Sequence, residues 1–275
     1  MIDYSPSETT DYLLCPRYRQ YRWLDHRAPR TLDKRDLGRV VGLGIHAGLA
    51  CHYRHEPDAE SVAHGAVETE LAAIRLNGQE WEPAVQAQVA GLGVEAKGAV
   101  RRFRTEPQPA WTIHHVERRI GHGVLDLIVE DRQGLMVVDT KTTRTLESRY
   151  QSKRLLEFET SWQFRDYAVR AGDLMERPIT RCLVQLLILG PQWRVIHHPL
   201  EFTTEALEHW RAWSAEPVWR RMELDAGCHE APRNLTVCHN TGYSYPCVYY
   251  EACWGGGLGQ GQYVTLPPRE ATTGE

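Results

Sequence analysis

The sequence predicts an α/β fold in which a helical N-terminal region precedes a buried central sheet. Three observations carry this. Residues 36–104 repeat apolar side chains at the three-and-four spacing of amphipathic helices. GVLDLIVE (123–130) and LMVVDTK (135–141) are almost continuously apolar over strand lengths, the pattern of strands covered on both faces. A helical pattern, two more strand patterns and a long helix follow, so strands and helices alternate along the second half of the chain.

Residues 9–24 read as a short helix behind a Ser-Pro-Ser start, with Glu8 and Asp11 near its N-terminus. Arg17, Arg19 and Arg22 interleave there with Tyr18, Tyr21 and Trp23. A second, apolar helix is expected over 36–54. It contains Gly42, Gly44 and Gly48, each about 1 kcal/mol less favourable than alanine in a helix. That cost points to close packing against another backbone. Residues 59–76 and 82–104 read as two further amphipathic helices. Strands follow at 111–120, 123–130 and 135–141, the last two joined by the turn Asp131-Arg132-Gln133-Gly134. A helix over 160–174, strands over 179–189 and 193–202 around Gly190-Pro191, and a helix over 203–224 complete the core. From Asp225 the chain is rich in cysteine, proline and glycine, and GGGLGQGQ opens a tail expected to be flexible over 256–275. The organisation expected is one domain over 1–255. Its parts are a helical region at 36–110, a core at 111–224, and a clasp formed by 1–24 with 225–254.

The 275 residues are 42% hydrophobic and 25% charged, which excludes a disordered or fibrous chain. No apolar run approaches the roughly 18 residues that span a bilayer, and the start lacks a basic region before an apolar stretch. A cytoplasmic protein without membrane contact is therefore expected. A net charge of −4 argues against a general polyanion binder but leaves room for local basic patches. Only four of the basic residues are lysines, at 34, 97, 141 and 153. The seven cysteines stand at 15, 51, 182, 228, 238, 247 and 253, and in a cytoplasmic chain they favour metal binding over disulfides.

The hairpin at 131–134 admits two registers. With Arg132-Gln133 as a two-residue loop, position i pairs with 265 − i. Asp126 then lies opposite Asp139, with Cβ atoms roughly 4.5–5.5 Å apart. Two carboxylates in such apolar strands need a shared proton or a cation. Lys141 projects from the same face as Asp139. This trio fits metal-assisted phosphodiester hydrolysis, in which a hard divalent cation keeps some water and the amine orients that water. A type I turn with a glycine bulge would instead put the two aspartates on opposite faces unless a second bulge compensates near Asp126.

In this order, five motifs resemble the RecB-like branch of the PD-(D/E)XK nuclease superfamily, over residues 5–253. They are SPSETTDYLLCPRYRQYRW, GLGIHAGL, GVLDLIV, VVDTK and WQFRDY. The branch includes AddB-type nuclease domains, CRISPR-adaptation nucleases and phage exonucleases. The resemblance implies a restriction-endonuclease-like core, a central mixed sheet flanked by helices. It implies Mg²⁺ or Mn²⁺ held by His46, Asp126, Asp139 and the Thr140 carbonyl. It also implies a catalytic Lys141, with Gln163 and Tyr167, four apart on one helix face, placing DNA and the lysine. Asp stands at 139 where Glu is commoner. Glu117, on the strand before, is a weaker candidate for an outer-shell acid.

Three thiols within sixteen residues, Cys238, Cys247 and Cys253, indicate a soft metal centre. The resembled families carry a [4Fe–4S] cluster on one N-terminal and three C-terminal cysteines, which implies Cys15 as the fourth ligand. Cys228 in its place would make a Zn²⁺ site. Cys51 and Cys182 are expected to be buried thiols. The function expected is a DNA nuclease, preferring single strands and DNA ends, with Arg-aromatic segments at 17–23, 101–104 and 149–154 as strand contacts. The alternatives are a non-catalytic nucleic-acid-binding protein on the same fold, or a DNA-end-trimming partner in CRISPR adaptation. Recombination, replication, repair and phage contexts are equally compatible.

Overall fold

Ser5 accepts a hydrogen bond from the Glu8 backbone N–H and Pro6 takes the first helical position, so α1 (Pro6–Leu14) starts there. The single helix predicted over 9–24 is broken at Cys15. A residue before proline is driven out of the helical region, and Cys15 is extended at φ −164° and ψ 119°. The chain resumes as α2 (Pro16–Arg19) and a wider helical turn over Gln20–Leu24. The computed structural model describes residues 4–120, 123–144, 155–228, 230–234, 238, 247–254 and 260–267.

Short strands β1 (Arg27–Pro29) and β2 (Thr31–Leu32) lead to α3 (Lys34–Tyr53), which opens on a capping box between Asp33 and Asp36. After α4 (Ala59–Leu76), β3 (Glu80–Trp81) pairs in parallel with β2. The helix predicted over 82–104 is divided near Gly91 into α5 (Pro83–Val89) and α6 (Leu92–Thr105). Gly44 and Gly48 of α3 sit where backbones meet, as expected, whereas a Cβ on Gly42 would meet only the Thr142 side-chain oxygen, at 3.2 Å. A Cβ on Gly44 would lie 2.7 Å from the Ala63 carbonyl oxygen, and one on Gly48 would lie 2.8 Å from that of Ala59.

The main sheet has five strands in the order β4-β5-β6-β7-β8. They are β4 (Thr112–Ile120), β5 (Gly123–Asp131), β6 (Gly134–Thr143), β7 (Arg181–Ile188) and β8 (Arg194–Glu201). Only β6 and β7 pair in parallel, and α7 (Trp162–Met175) lies between them in sequence. The sheet is therefore mixed, as expected. Leu127, Val129, Met136, Val138 and Leu187 pack with α3, α4 and α6. Ile128, Val137, Val184 and Leu186 pack on the other face with Phe164, Ala168 and Ala171 of α7. Burial on both faces explains the continuous apolar runs.

The helix predicted over 203–224 runs as Thr204–Trp210, a π turn over Arg211–Ala215 and Glu216–Ala226, with Pro217 just after the wide turn. A proline lacks the N–H of a regular helix and crowds the preceding turn, and widening relieves the crowding. This segment meets the N-terminal helices. Tyr12 donates to Asp225 Oδ2 at 2.6 Å, Arg17 Nε to the Ala231 carbonyl at 2.9 Å, and Asn234 Nδ2 to the Leu14 carbonyl at 2.9 Å. Within the tail expected to be flexible over 256–275, the described residues include one strand. Tyr263–Thr265, all strand-favouring residues, form β9, which pairs antiparallel with β1.

Arg181 ties the hairpin to β7, with both guanidinium nitrogens on Asp131 at 2.7 and 2.9 Å. That pair, with the Gln133 N–H, holds the Asp131 carboxyl down at about 2. A carboxyl depressed by folding stabilises above its unfolded pKa of about 3.9 and loses that contribution as pH falls through the folded value. Both side chains are partly exposed, so solvent screening leaves about 1–2 kcal/mol. Asp131→Asn should therefore flatten the stability loss between about pH 4 and pH 2. Urea unfolding at a series of pH values measures this, and an unchanged acid limb would rule the pair out.

Candidate active site

From Asp131↔Gly134 to Leu127↔Val138, each pair sums to 265, so the two-residue-loop register is the observed one. It holds even though Gly134 adopts a left-handed φ of +110°. Pairing stops one step short of the aspartates. There β5 and β6 part, and Asp126 Oδ2 accepts the Thr140 backbone N–H at 2.7 Å. A side chain thus satisfies a donor that a strand would otherwise take. The alternation of β5 breaks at the same place. Leu125 and Leu127 are two apart, yet they pack in opposite cores.

Around this fork the predicted residues meet. Lys141 Nζ stands 2.8 Å from Asp139 Oδ2, and Gln163 Nε2 donates to Asp139 Oδ1 at 3.1 Å. Gln163 also donates to the Tyr167 hydroxyl at 2.9 Å, and Tyr167 in turn donates to the Val124 carbonyl at 3.2 Å. From α3, His46 Nδ1 lies 3.2 Å from Asp126 Oδ2. Lys141 and His46 both line an open cleft of about 400 Å³, together with Arg35, Arg39, Gly42 and Arg144.

The two carboxyls experience different fields. Burial pushes Asp126 up, but the His46 imidazole, Lys141 and the Thr140 N–H outweigh it and hold the group below its ordinary range. Burial raises Asp139, Lys141 offsets part of the rise, and the Asp126 charge adds to it. For His46, burial works downward while Asp126 and Asp139 win and raise it. Tyr167 is pushed well above its ordinary value by burial and by both aspartates, so it remains a hydroxyl donor.

Sequence reasoning missed Gln185 and Tyr53. Gln185 is fully buried on β7 beside Thr140. Its Oε1 accepts from Thr140 Oγ1 at 3.2 Å and from the Tyr53 hydroxyl at 3.3 Å. One amide inside the apolar run LVQLLIL was the signal for it. One of the proposed strand-contact segments needs correction, at its buried arginines. Arg17 and Arg19 are buried and engage Glu230 and Glu8, whereas Arg101 and Arg104 are exposed and both pair with Glu60. The third segment, 149–154, lies outside the described residues.

Late in the sequence, Cys247 donates its backbone N–H to the Cys238 carbonyl at 3.0 Å. The Cys247 thiol is pushed up to about 11, first by burial and further by Cys253, Cys15 and Cys238. Asn234 bridges two of these residues. Its N–H donates to Cys15 Sγ at 3.4 Å, and Cys238 Sγ donates to its carbonyl at 3.5 Å. Cys228 is exposed and donates to its own helix at the Leu224 carbonyl. Cys51 and Cys182 are buried thiols on backbone carbonyls. Among the described residues, no three His, Cys, Asp or Glu side chains are already arranged around a metal position.

A family model described as the PD-(D/E)XK nuclease superfamily matches residues 3–253. No curated protein matches the sequence. Among solved structures, one described as "Crystal structure of SSO0001" is 13% identical over 72% of this chain and 75% of that chain, with a TM-score of 0.23. A similarity that slight bears no weight for fold or function.

Proposed function

This chain belongs to the PD-(D/E)XK nuclease superfamily, and on that premise we propose that it is a metal-dependent DNA nuclease preferring single strands and open ends. The supporting observation is the meeting of Asp126, Asp139 and Lys141 at the fork between β5 and β6, with His46 opposite. Preference for ends rests on the resemblance to exonucleases, not on the shape of the cleft.

Members of the superfamily typically use Mg²⁺ or Mn²⁺. The residues fit such an ion. Asp139 Oδ2 is enclosed without a hydrogen bond of proper geometry, its close neighbour being the Lys141 ammonium as a bare ion pair. Two carboxylates, a main-chain carbonyl and an imidazole suit a hard or borderline cation. Asp126, Asp139, the Thr140 carbonyl and His46 would hold it. When bound, it supplies Lewis-acid stabilisation of a phosphate and a more acidic water. Lys141 orients the attacking water and faces the charge that grows on the phosphate. Gln163 fixes Oδ1 of Asp139, so that Oδ2 is the oxygen that faces Lys141, and Tyr167 fixes Gln163. Arg35, Arg39 and Arg144 border the cleft through which a phosphate backbone would reach Lys141. Incubation of linear and circular single-stranded DNA with Mg²⁺ or Mn²⁺ tests the reading. Loss of linear DNA alone is expected, equal cutting of circles would make the enzyme an endonuclease, and no cutting with any divalent metal would make it a binding protein.

A second metal centre belongs to the same reading, a [4Fe–4S] cluster on Cys15, Cys238, Cys247 and Cys253. Its support is that Asn234 bridges Cys15 and Cys238 and that the Cys247 N–H bonds the Cys238 carbonyl, while Cys228 is exposed on its own helix. Protein purified without oxygen should be brown and contain iron and sulfide. Cys15→Ser should lose the colour while Cys228→Ser keeps it. Colourless wild-type protein with stoichiometric zinc would replace iron by zinc there.

A further inference from the structure

The site has a neighbour whose backbone is unusual. Glu117 lies in the middle of β4 with a left-handed φ of +48°. Non-glycine residues rarely take that region inside a strand, and they persist there only when the surroundings force them. The pairing of β4 with β5 shows where the distortion falls. Val116 faces Leu127 and Arg118 faces Leu125, and the position between them sets Glu117 against Asp126. The residue with the unusual backbone is therefore the one across from the aspartate at which β5 changes face.

The side chain joins the same place. Glu117, Asp126, His46, Tyr53 and Thr140 line one small cavity of about 10 Å³, room for about one water. The Glu117 carboxylate is partly open to solvent, and Arg54 from the end of α3 holds it at 3.4 Å. It approaches the site from the β4 side, whereas Gln163 reaches it from α7.

We infer that Glu117 is a positioning residue for the divalent cation of this site, accepting hydrogen bonds from water bound to the ion on the Asp126 side. Arg54 steadies the carboxylate, and the strained backbone is what aims it. This rests on the reading of Asp126 and Asp139 as the cation's ligands. Outer-shell partners of this kind change metal affinity about 10–100-fold when removed.

The experiment is Mn²⁺ binding by calorimetry to the full chain, with thermal unfolding of the metal-free protein as control. Glu117→Gln should weaken Mn²⁺ binding about tenfold with an unchanged metal-free Tm. Glu117→Gly should weaken binding similarly and raise the metal-free Tm, because glycine adopts φ +48° without strain. A purely structural role would move the two Tm values and leave the affinity alone. Wild-type Mn²⁺ affinity in both variants, while Asp139→Ala abolishes binding, would overturn the role of Glu117 and leave the site intact. Undiminished binding by Asp139→Ala would overturn the site and this inference together.

Discussion

Asp139→Asn is expected to lower DNA hydrolysis about a thousandfold while making the metal-free protein more resistant to heat. The first half follows from geometry. Asp139 is the residue on which Lys141 and Gln163 converge, so its loss of charge removes a cation ligand and releases the lysine. The second half follows from electrostatics. Asp139 is buried, stands beside the Asp126 charge, and is raised above the ordinary carboxylate range. A carboxyl raised by folding opposes stability at neutral pH and ceases to oppose it once protonated. Asparagine imitates the protonated form. Functional sites commonly hold such destabilising charge. Mn²⁺ should raise the Tm of the wild type and not that of the variant. Wild-type cutting by Asp139→Asn would remove Asp139 from the mechanism.

Gly44→Ala and Gly48→Ala should each destabilise the protein by about 2–3 kcal/mol, a Tm loss of roughly 5–10 °C in a chain of this size. The added methyl at Gly44 would also meet Val67 Cγ2 at 2.5 Å, and that at Gly48 the Ala63 Cβ at 2.8 Å. Carbonyl oxygens of α4 stand at similar range and belong to a rigid helix, so α3 or α4 must move. His46 lies between the two glycines, so the displacement also carries it away from Asp126 and activity should fall with stability. Gly38 in the same helix is the control. Nothing stands within 4 Å of a Cβ there, and Gly38→Ala should stabilise by up to about 1 kcal/mol. Differential scanning calorimetry of the three variants decides it, and equal effects at Gly38 and Gly44 would refute the contact.

The sheet and much of the site were legible in the sequence because both depend on local pattern. Apolar runs identify β5 and β6, and a short turn fixes which residues face each other. The change of face at Asp126 was not legible, because nothing in the pattern of β5 marks it, and the unusual backbone across from it, at Glu117, is in a different strand. The arginines at 17 and 19 misled for a related reason. Spacing shows that a helix turn is basic, but whether it faces solvent or Glu8 is decided by residues 225–234, more than 200 positions later. The break at Cys15 needed only the proline after it.

That long separation has a consequence for biosynthesis. Tyr12 and Arg17 emerge from the ribosome well before Asp225 and Ala231, the groups that satisfy them. At about 5–20 residues per second the delay is roughly 10–40 s. During that interval Tyr12 and Arg17 lack the C-terminal groups that accept their hydrogen bonds. Shortened versions ending before residue 225 should accordingly be prone to clumping or chaperone capture, even with every strand of the sheet already made.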